Sequence, residues 1–383
     1  MVNLNLSTTI LLPALAAAGV VTTMVFSVNN GMFPKITEII EDPNATTFPG
    51  TDVAFSREWT GVAALDKQLT VLLIFFYQLL DGEYPSATLQ VVHFFGQMGS
   101  FWTLIQLEAK REGNKGRMIA YTTLFGLVYQ NISVAITIPV WALLHLLTLP
   151  PTNSATLRAR LSVAPDAARL LPWAMFLGYM LPSFAMVAPS PYQQALITLW
   201  QPFPLWVTLI ATLVLRPLFS SSSSSSPSTL TPQQSYAAAS SAHLFALLLA
   251  AIPHAAALSI SLAAHFFPQL FAPATAASLH PARVFLPKLS TDPAAAAVPL
   301  AEGVLRFMQW DEAVSTAATV VWAATVYLRD TRISGGGGRF GIVGVAVRAV
   351  GWTAVGGPAA AAVALVWARD EVVFGSGSEG KRG

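Results

Sequence analysis

The sequence predicts an all-α fold, a polytopic bundle of about eight or nine transmembrane helices, and three observations carry that expectation. Apolar residues make up 54% of the chain and charged ones 10%, where a soluble domain carries roughly 25% charged residues. Apolar runs recur from Thr8 almost to Trp367, each near the ~20 residues that cross ~30 Å of hydrocarbon. The runs are rich in Leu, Ala, Phe and Trp without strict alternation, which favours helices with internally satisfied backbones over a barrel.

Taken in order, the runs place spans at 8–27, 61–80, 87–107, 118–148, 170–188, 193–215, 242–267, 309–328 and 341–368. The first has no Lys or Arg before it, so it reads as a span rather than a cleaved signal. The fourth is too long for an upright crossing, and Pro139 within it predicts a kink. Trp200, Gln201, Pro202, Phe203 and Pro204 predict a rigid aromatic break in the sixth. Residues 216–240 read as a Ser-rich linker, 268–299 as an Ala/Pro-rich loop on the membrane, and 369–383 as a disordered tail. All 383 residues then form one membrane-embedded domain. No internal repeat emerges.

Charge and composition exclude several classes of function. A net charge of +2 without a basic stripe gives no nucleic-acid partner. The absence of cysteine removes disulfides, thiolate nucleophiles and Cys-ligated metals. Lys110, Arg111, Lys115 and Arg117 crowd the turn after the third span and mark it cytoplasmic. With nine spans the amino terminus falls outside and the carboxyl terminus in the cytosol.

Ionisable side chains in or near spans are expensive and are functional candidates by default. Asp66 lies early in the second span, Glu108 closes the third, and Asp311 opens the eighth. Alternation puts all three at one membrane face. Glu108 and Arg111 at i, i+3 face each other on a helix, so an ion pair ending that helix explains them structurally and leaves Glu108 the poorest proton donor of the three. Asp66 and Asp311 each have a structural reading at a helix amino terminus, while the apolar sequence after Trp310 and Asp311 points to an acid withdrawn from water. Gln130 and Asn131 interrupt the fourth span, where hydrogen bonding between helices is the structural reading. The six histidines show no ligand spacing with acidic partners. No Asp-rich diphosphate motif, P-loop, GxSxG or HExxH is present, so the expected chemistry uses no metal and no cofactor.

These residues resemble, in order along most of the chain, the longer fungal integral-membrane terpene cyclases of meroterpenoid pathways. The resemblance rests on Trp59-Thr60-Gly61 with Leu65-Asp66 and Phe75-Phe76, Glu108 with Arg111, Gln130 followed by Pro139 and Trp141, Trp200 with Pro204, and Gln309-Trp310-Asp311. It implies a class II-like cyclase in which a carboxyl protonates an epoxide or terminal alkene of a prenylated, lipophilic substrate. A carbocation cascade then closes rings, and a base removes the last proton. Trp, Tyr and Phe faces stabilise such cations without trapping them, and a membrane pocket excludes the water that would quench them. On that reading Asp311 or Asp66 is the general acid, with Glu108 as the third catalytic candidate. Arg111 helps Glu108 order the polar end of the site, Trp200 and Trp310 line the hydrocarbon channel, and Gln130 positions a hydroxyl or water. Trp141 and Gln309 complete the substrate-binding set. Partners are then a prenylated small molecule and the lipid bilayer, with the endoplasmic reticulum the expected membrane. The sequence leaves the oligomeric state open.

Two other classes fit polytopic chains. A transporter predicts a polar path through both halves of the membrane, and a scaffold without chemistry needs only small-residue packing runs such as 359–362 and 294–297.

Overall fold

The computed structural model describes residues 2–219, 231–289, 298–335 and 341–375, and these are helical almost throughout. Among the described residues the only extended pairings are two isolated bridges, Thr47 with Ala54 and Arg111 with Val163. Among the described residues, and apart from three short 3-10 turns, sixteen helices organise the chain: α1 Leu4–Asn29, α2 Met32–Glu41, α3 Ala63–Leu80, α4 Pro85–Ala109, α5 Thr122–Ile132, α6 Val134–Leu147, α7 Ser154–Leu161, α8 Pro165–Val187, α9 Gln193–Trp200, α10 Phe203–Phe219, α11 Pro232–Phe266, α12 Pro273–Ser278, α13 Pro281–Phe285, α14 Leu300–Ile333, α15 Ile342–Gly356 and α16 Pro358–Gly375.

Helix α4 is the central post, buried along nearly its whole length. Helices α11, α14 and α16 pack against it, and small residues permit the approach. A Cβ on Gly96 would lie 2.8 Å from the Leu249 carbonyl oxygen, and one on Gly99 would strike the Tyr179 ring. The outer faces of α1, α11 and α15 expose Val20, Val21, Leu244, Leu248, Ile252, Val343, Val347 and Val350. Such a continuous apolar exterior is foreign to a water-facing monomer.

The number of spans differs from the expected eight or nine. Helices α1, α3, α8 and α11 are long and apolar enough to cross a membrane, and the α9–α10 pair, bent by 70°, makes a fifth if counted as one broken span. Helices α4, α14 and α16 fall short for a physical reason: their Gln, His, Ser, Thr, Asp and Arg side chains are buried inside the bundle rather than facing its exterior. A hydropathy average counts those groups as though they faced lipid.

Three breaks follow local chemistry. The 118–148 run splits at Ser133, whose φ of 106° is the one positive value at a described non-glycine residue. The α9–α10 bend falls at the Pro202 and Pro204 break. The 341–368 run splits at Gly357, with φ of 84°, directly before Pro358.

Two linker expectations change as well. Helix α16 runs on to Gly375, so 369–375 is helix, with Arg369, Asp370, Val373 and Phe374 buried. The 268–299 stretch carries α12 and α13 up to Phe285. The polyserine run 220–226, the alanines 294–297 and the end of the chain, 376–383, lie outside the described residues.

Candidate active site

An apolar cavity of about 120 Å³ lies among α1 to α6, α9 and α14. Phe75, Phe76, Phe94, Met98, Tyr129 and Trp200 supply much of its wall, Gln68, Gln130, Asn131 and Ser133 add polar atoms, and Asp311 is the carboxyl among its lining residues. The aromatic wall is interlocked: Trp200 packs 5.2 Å from Phe76 edge-on and 5.1 Å from Phe95 and Phe203. The Trp200 Nε1 donates to Ser183 Oγ at 2.8 Å, which satisfies its polar edge and leaves the ring face for the cavity.

Asp311 enters this wall from the interior of α14, not from its first turn, because α14 begins at Leu300. Its Oδ1 accepts from Ser133 Oγ at 2.5 Å and from the Ala135 backbone N–H at 2.8 Å. The carboxyl thus caps the amino terminus of α6, and Ser133 holds a backbone conformation costing of order 1–3 kcal/mol where it grips the acid. Gln130 donates to the Gln201 carbonyl at 2.6 Å, an oxygen freed by the Trp200–Phe203 break. The Tyr129 hydroxyl is buried without a hydrogen-bond partner among the described residues.

The other expected site residues lie elsewhere. Asp66 accepts from the Thr60 N–H at 2.8 Å, Thr60 Oγ1 at 2.7 Å and the Gly61 N–H at 3.1 Å, tying the loop before α3 to that helix and standing outside the cavity. Gln309 donates to the carbonyls of Arg283 and Val284, and Trp310 to that of Lys288. Both hold the 268–299 stretch to α14, and neither lines the cavity. Trp141 stacks on His145 at 5.4 Å and donates to the Ile119 carbonyl, again away from the cavity.

Glu108 and Arg111 belong to a buried ion network. Arg111 Nε meets Glu108 at 2.7 Å and its Nη2 meets Asp370 at 2.6 Å, while Arg369 Nη2 bonds Glu108 at 3.0 Å and Asp370 at 2.9 Å. Asp330 of α14 lies 3.7 Å from Arg369. With two guanidinium groups on it, Glu108 is a structural anion that fastens α16 to α4. The sequence reading missed Arg369, Asp370 and Asp330 because they fall where the apolar runs end.

That network also overturns the single-face expectation. Asp311 and Asp330 are separated along α14 by about 28 Å at 1.5 Å per residue, and Asp330 is the one beside the Glu108 network. At the Asp311 end, Glu312 reaches α4 near its start, bonding Gln90 at 2.8 Å and His93 Nδ1 at 2.8 Å. Glu108 and Asp311 therefore stand at opposite ends of the bundle. Alternation failed because the 118–148 run, counted as one crossing, splits at Ser133 and returns: Arg117 before it bonds the His145 carbonyl and Thr148 Oγ1 at its end.

A second polar chain runs behind Asp311. His93 Nε2 lies 2.9 Å from His254 Nδ1, and His254 Nε2 lies 3.3 Å from the Ala354 carbonyl. A carbonyl only accepts, so His254 Nε2 carries hydrogen and its Nδ1 accepts from His93. The other ring nitrogen of His93, Nδ1, faces Glu312 at 2.8 Å and completes the chain.

Fold and site together define an all-helical protein with helices long and apolar enough to cross a membrane, enclosing an apolar cavity that carries a carboxyl. The chain belongs to the CtvD domain family, whose profile matches residues 7–374. It is 30% identical over 340 residues to terpene cyclase ascI of Acremonium egyptiacum, covering 86% of this chain and 83% of that one. Terpene cyclase sdgD of Emericella nidulans is 28% identical over 366 residues, covering 94% and 93%, and terpene cyclase ctvD of Aspergillus terreus is 28% identical over 287 residues, covering 72% and 75%. No solved structure matches.

Proposed function

We propose that this protein is a membrane-bound terpene cyclase that starts cyclisation by protonating an epoxide or terminal alkene of a prenylated, meroterpenoid or sesquiterpenoid, substrate. The observation that carries the reading is that Asp311 alone of the three candidate carboxyls lines the aromatic cavity. Its Oδ1 is occupied by two donors, which leaves Oδ2 to hold and deliver a proton. Phe75, Phe76, Tyr129 and Trp200 offer ring faces to the positive charge that develops, and the hydrophobic wall keeps water from ending the cascade early. Gln130 and Asn131 are the polar groups placed to orient a hydroxyl or water near the final deprotonation. The relatives' names support the cyclase class, and the acid-initiated mechanism is our addition. In this reading the polar-lined helices α4, α14 and α16 cross the endoplasmic reticulum membrane with the apolar ones, bringing the number of spans to eight when the α9–α10 pair is counted as one.

The test replaces each carboxyl by its amide in microsomes supplied with prenylated substrates. General acid catalysis is worth roughly 10²- to 10⁴-fold, so Asp311→Asn loses cyclisation by at least that factor. Asp66→Asn retains it once corrected for the amount of folded protein. Full cyclisation by Asp311→Asn would refute the assignment.

A further inference from the structure

The cavity is too small for a whole prenylated substrate. An engineered cavity of about 150 Å³ binds benzene, so a space of about 120 Å³ takes the reacting end of the chain and little more. The remainder of the molecule needs a second room, and one adjoins. An open groove of about 650 Å³ runs along the outer face of α2, bordered by Val28 of the last turn of α1, by Phe33 at the start of α2, and by Glu38, Glu41 and Asp42 at its end.

Phe33 lines both spaces. Its ring sits edge-on to Phe307 at 6.2 Å, and Phe307 in turn packs on Phe75 at 5.2 Å inside the cavity. One half-buried side chain therefore forms the wall between an open groove and the chamber holding Asp311. The frame around it is fixed. Arg57 clamps the far end of α2 through the carbonyls of Ile39, Ile40, Asp42 and Ala45, and Lys35 bonds the Val298 carbonyl at 2.6 Å. The partition is thus a side chain carried on a clamped helix.

We infer that Phe33 is a specificity-determining residue, and that the groove along α2 binds the polar head of the substrate while the prenyl chain passes Phe33 into the chamber. This rests on the cyclase reading. The groove's composition selects the head: an apolar inner end suits the start of a prenyl chain, and three carboxylates suit a neutral head bearing hydroxyl or N–H donors. The same carboxylates repel a diphosphate.

The experiment uses the full-length protein in nanodiscs with two probes sharing one prenyl chain, one ending in phenol and the other in a larger hydroxylated bicyclic ring. Thr37 is exposed and lines only the groove, so Thr37→Trp narrows the groove without touching the chamber. It is expected to raise KM for the bulky probe at least fivefold with kcat unchanged, and to leave the phenol probe within twofold. Phe33→Trp is expected to raise KM for both, and Phe33→Leu to restore them. A head-placed photoreactive diazirine, bound to Asp311→Asn protein to prevent turnover, is expected to label residues 37–42. Unchanged KM values in Thr37→Trp together with labelling elsewhere would overturn the groove. Because the labelling needs no chemistry at Asp311, it separates failure of the groove from failure of the cyclase reading.

Discussion

Ser133 Oγ lies 2.5 Å from Asp311 Oδ1, although the two residues are 178 positions apart, and Ser133 adopts a φ of 106° where it makes this bond. The serine ends α5, starts α6 and fixes the carboxyl in one stroke. Hydrogen bonds to charged groups contribute about 1.5–3 kcal/mol. Ser133→Ala is therefore expected to lower kcat by roughly 10- to 100-fold with little change in KM, measured as initial cyclisation rates. Ser133→Gly, which relieves the backbone and also lacks the hydroxyl, is expected to match the alanine variant in rate and exceed it in thermal stability.

The close, buried pairing of Glu312 with His93 predicts an asymmetry. In Glu312→Gln the amide N–H₂ donates to His93 Nδ1 and its oxygen accepts from Gln90, so every bond is kept. That variant is expected to unfold within a degree or two of the parent. His93→Phe strands a buried carboxylate and is expected to cost roughly 3–5 kcal/mol, read as a lowered midpoint in thermal unfolding. Adding Glu312→Gln to His93→Phe should recover most of the loss.

Arg369 ties Glu108, Asp370 and Asp330 from three helices. Removing one partner of a buried ion cluster costs roughly 3–5 kcal/mol. Arg369→Met is expected to lower yield and melting temperature, while the protein that does fold turns over at near the parental rate. A chain ended after Ala368 should fail to accumulate.

Gly19 of α1 meets the backbone of α6 so closely that a Cβ there would strike the Ala135 carbonyl. Ala135 is also a donor to Asp311. Overpacking such a site costs typically 1–3 kcal/mol. Gly19→Leu is expected to lose stability by that order and activity by more, and the split is read from specific activity per folded molecule.

How much of this was legible follows from the signals themselves. Composition gives an all-α chain because lipid leaves the backbone few alternatives, and Pro202 with Pro204 announces the bend after Trp200. Gly357 next to Pro358 carried the same kind of signal, hidden by the apolar residues on both sides. Gln130, expected in the site, does line the cavity, as does Asn131, expected only to bond between helices, yet nothing marked Ser133, since serine has no sequence signature for positive φ. Asp66 was singled out on chemistry that its Thr60 and Gly61 partners already consume. Arg369 and Asp370 were hidden for the opposite reason: charges that follow an apolar run read as solvated until three helices close around them.

The strained turn at Ser133 ties the chamber's outline to the aim of its acid. Under the mechanism proposed above, changes to the walls at Phe75, Met98 or Trp200 would leave the proton's line of delivery intact, whereas any change that relaxes the turn would redirect both at once. Diversity of ring systems within this architecture is then expected to accumulate along the aromatic lining and the α2 groove, with residues 133–135 held constant.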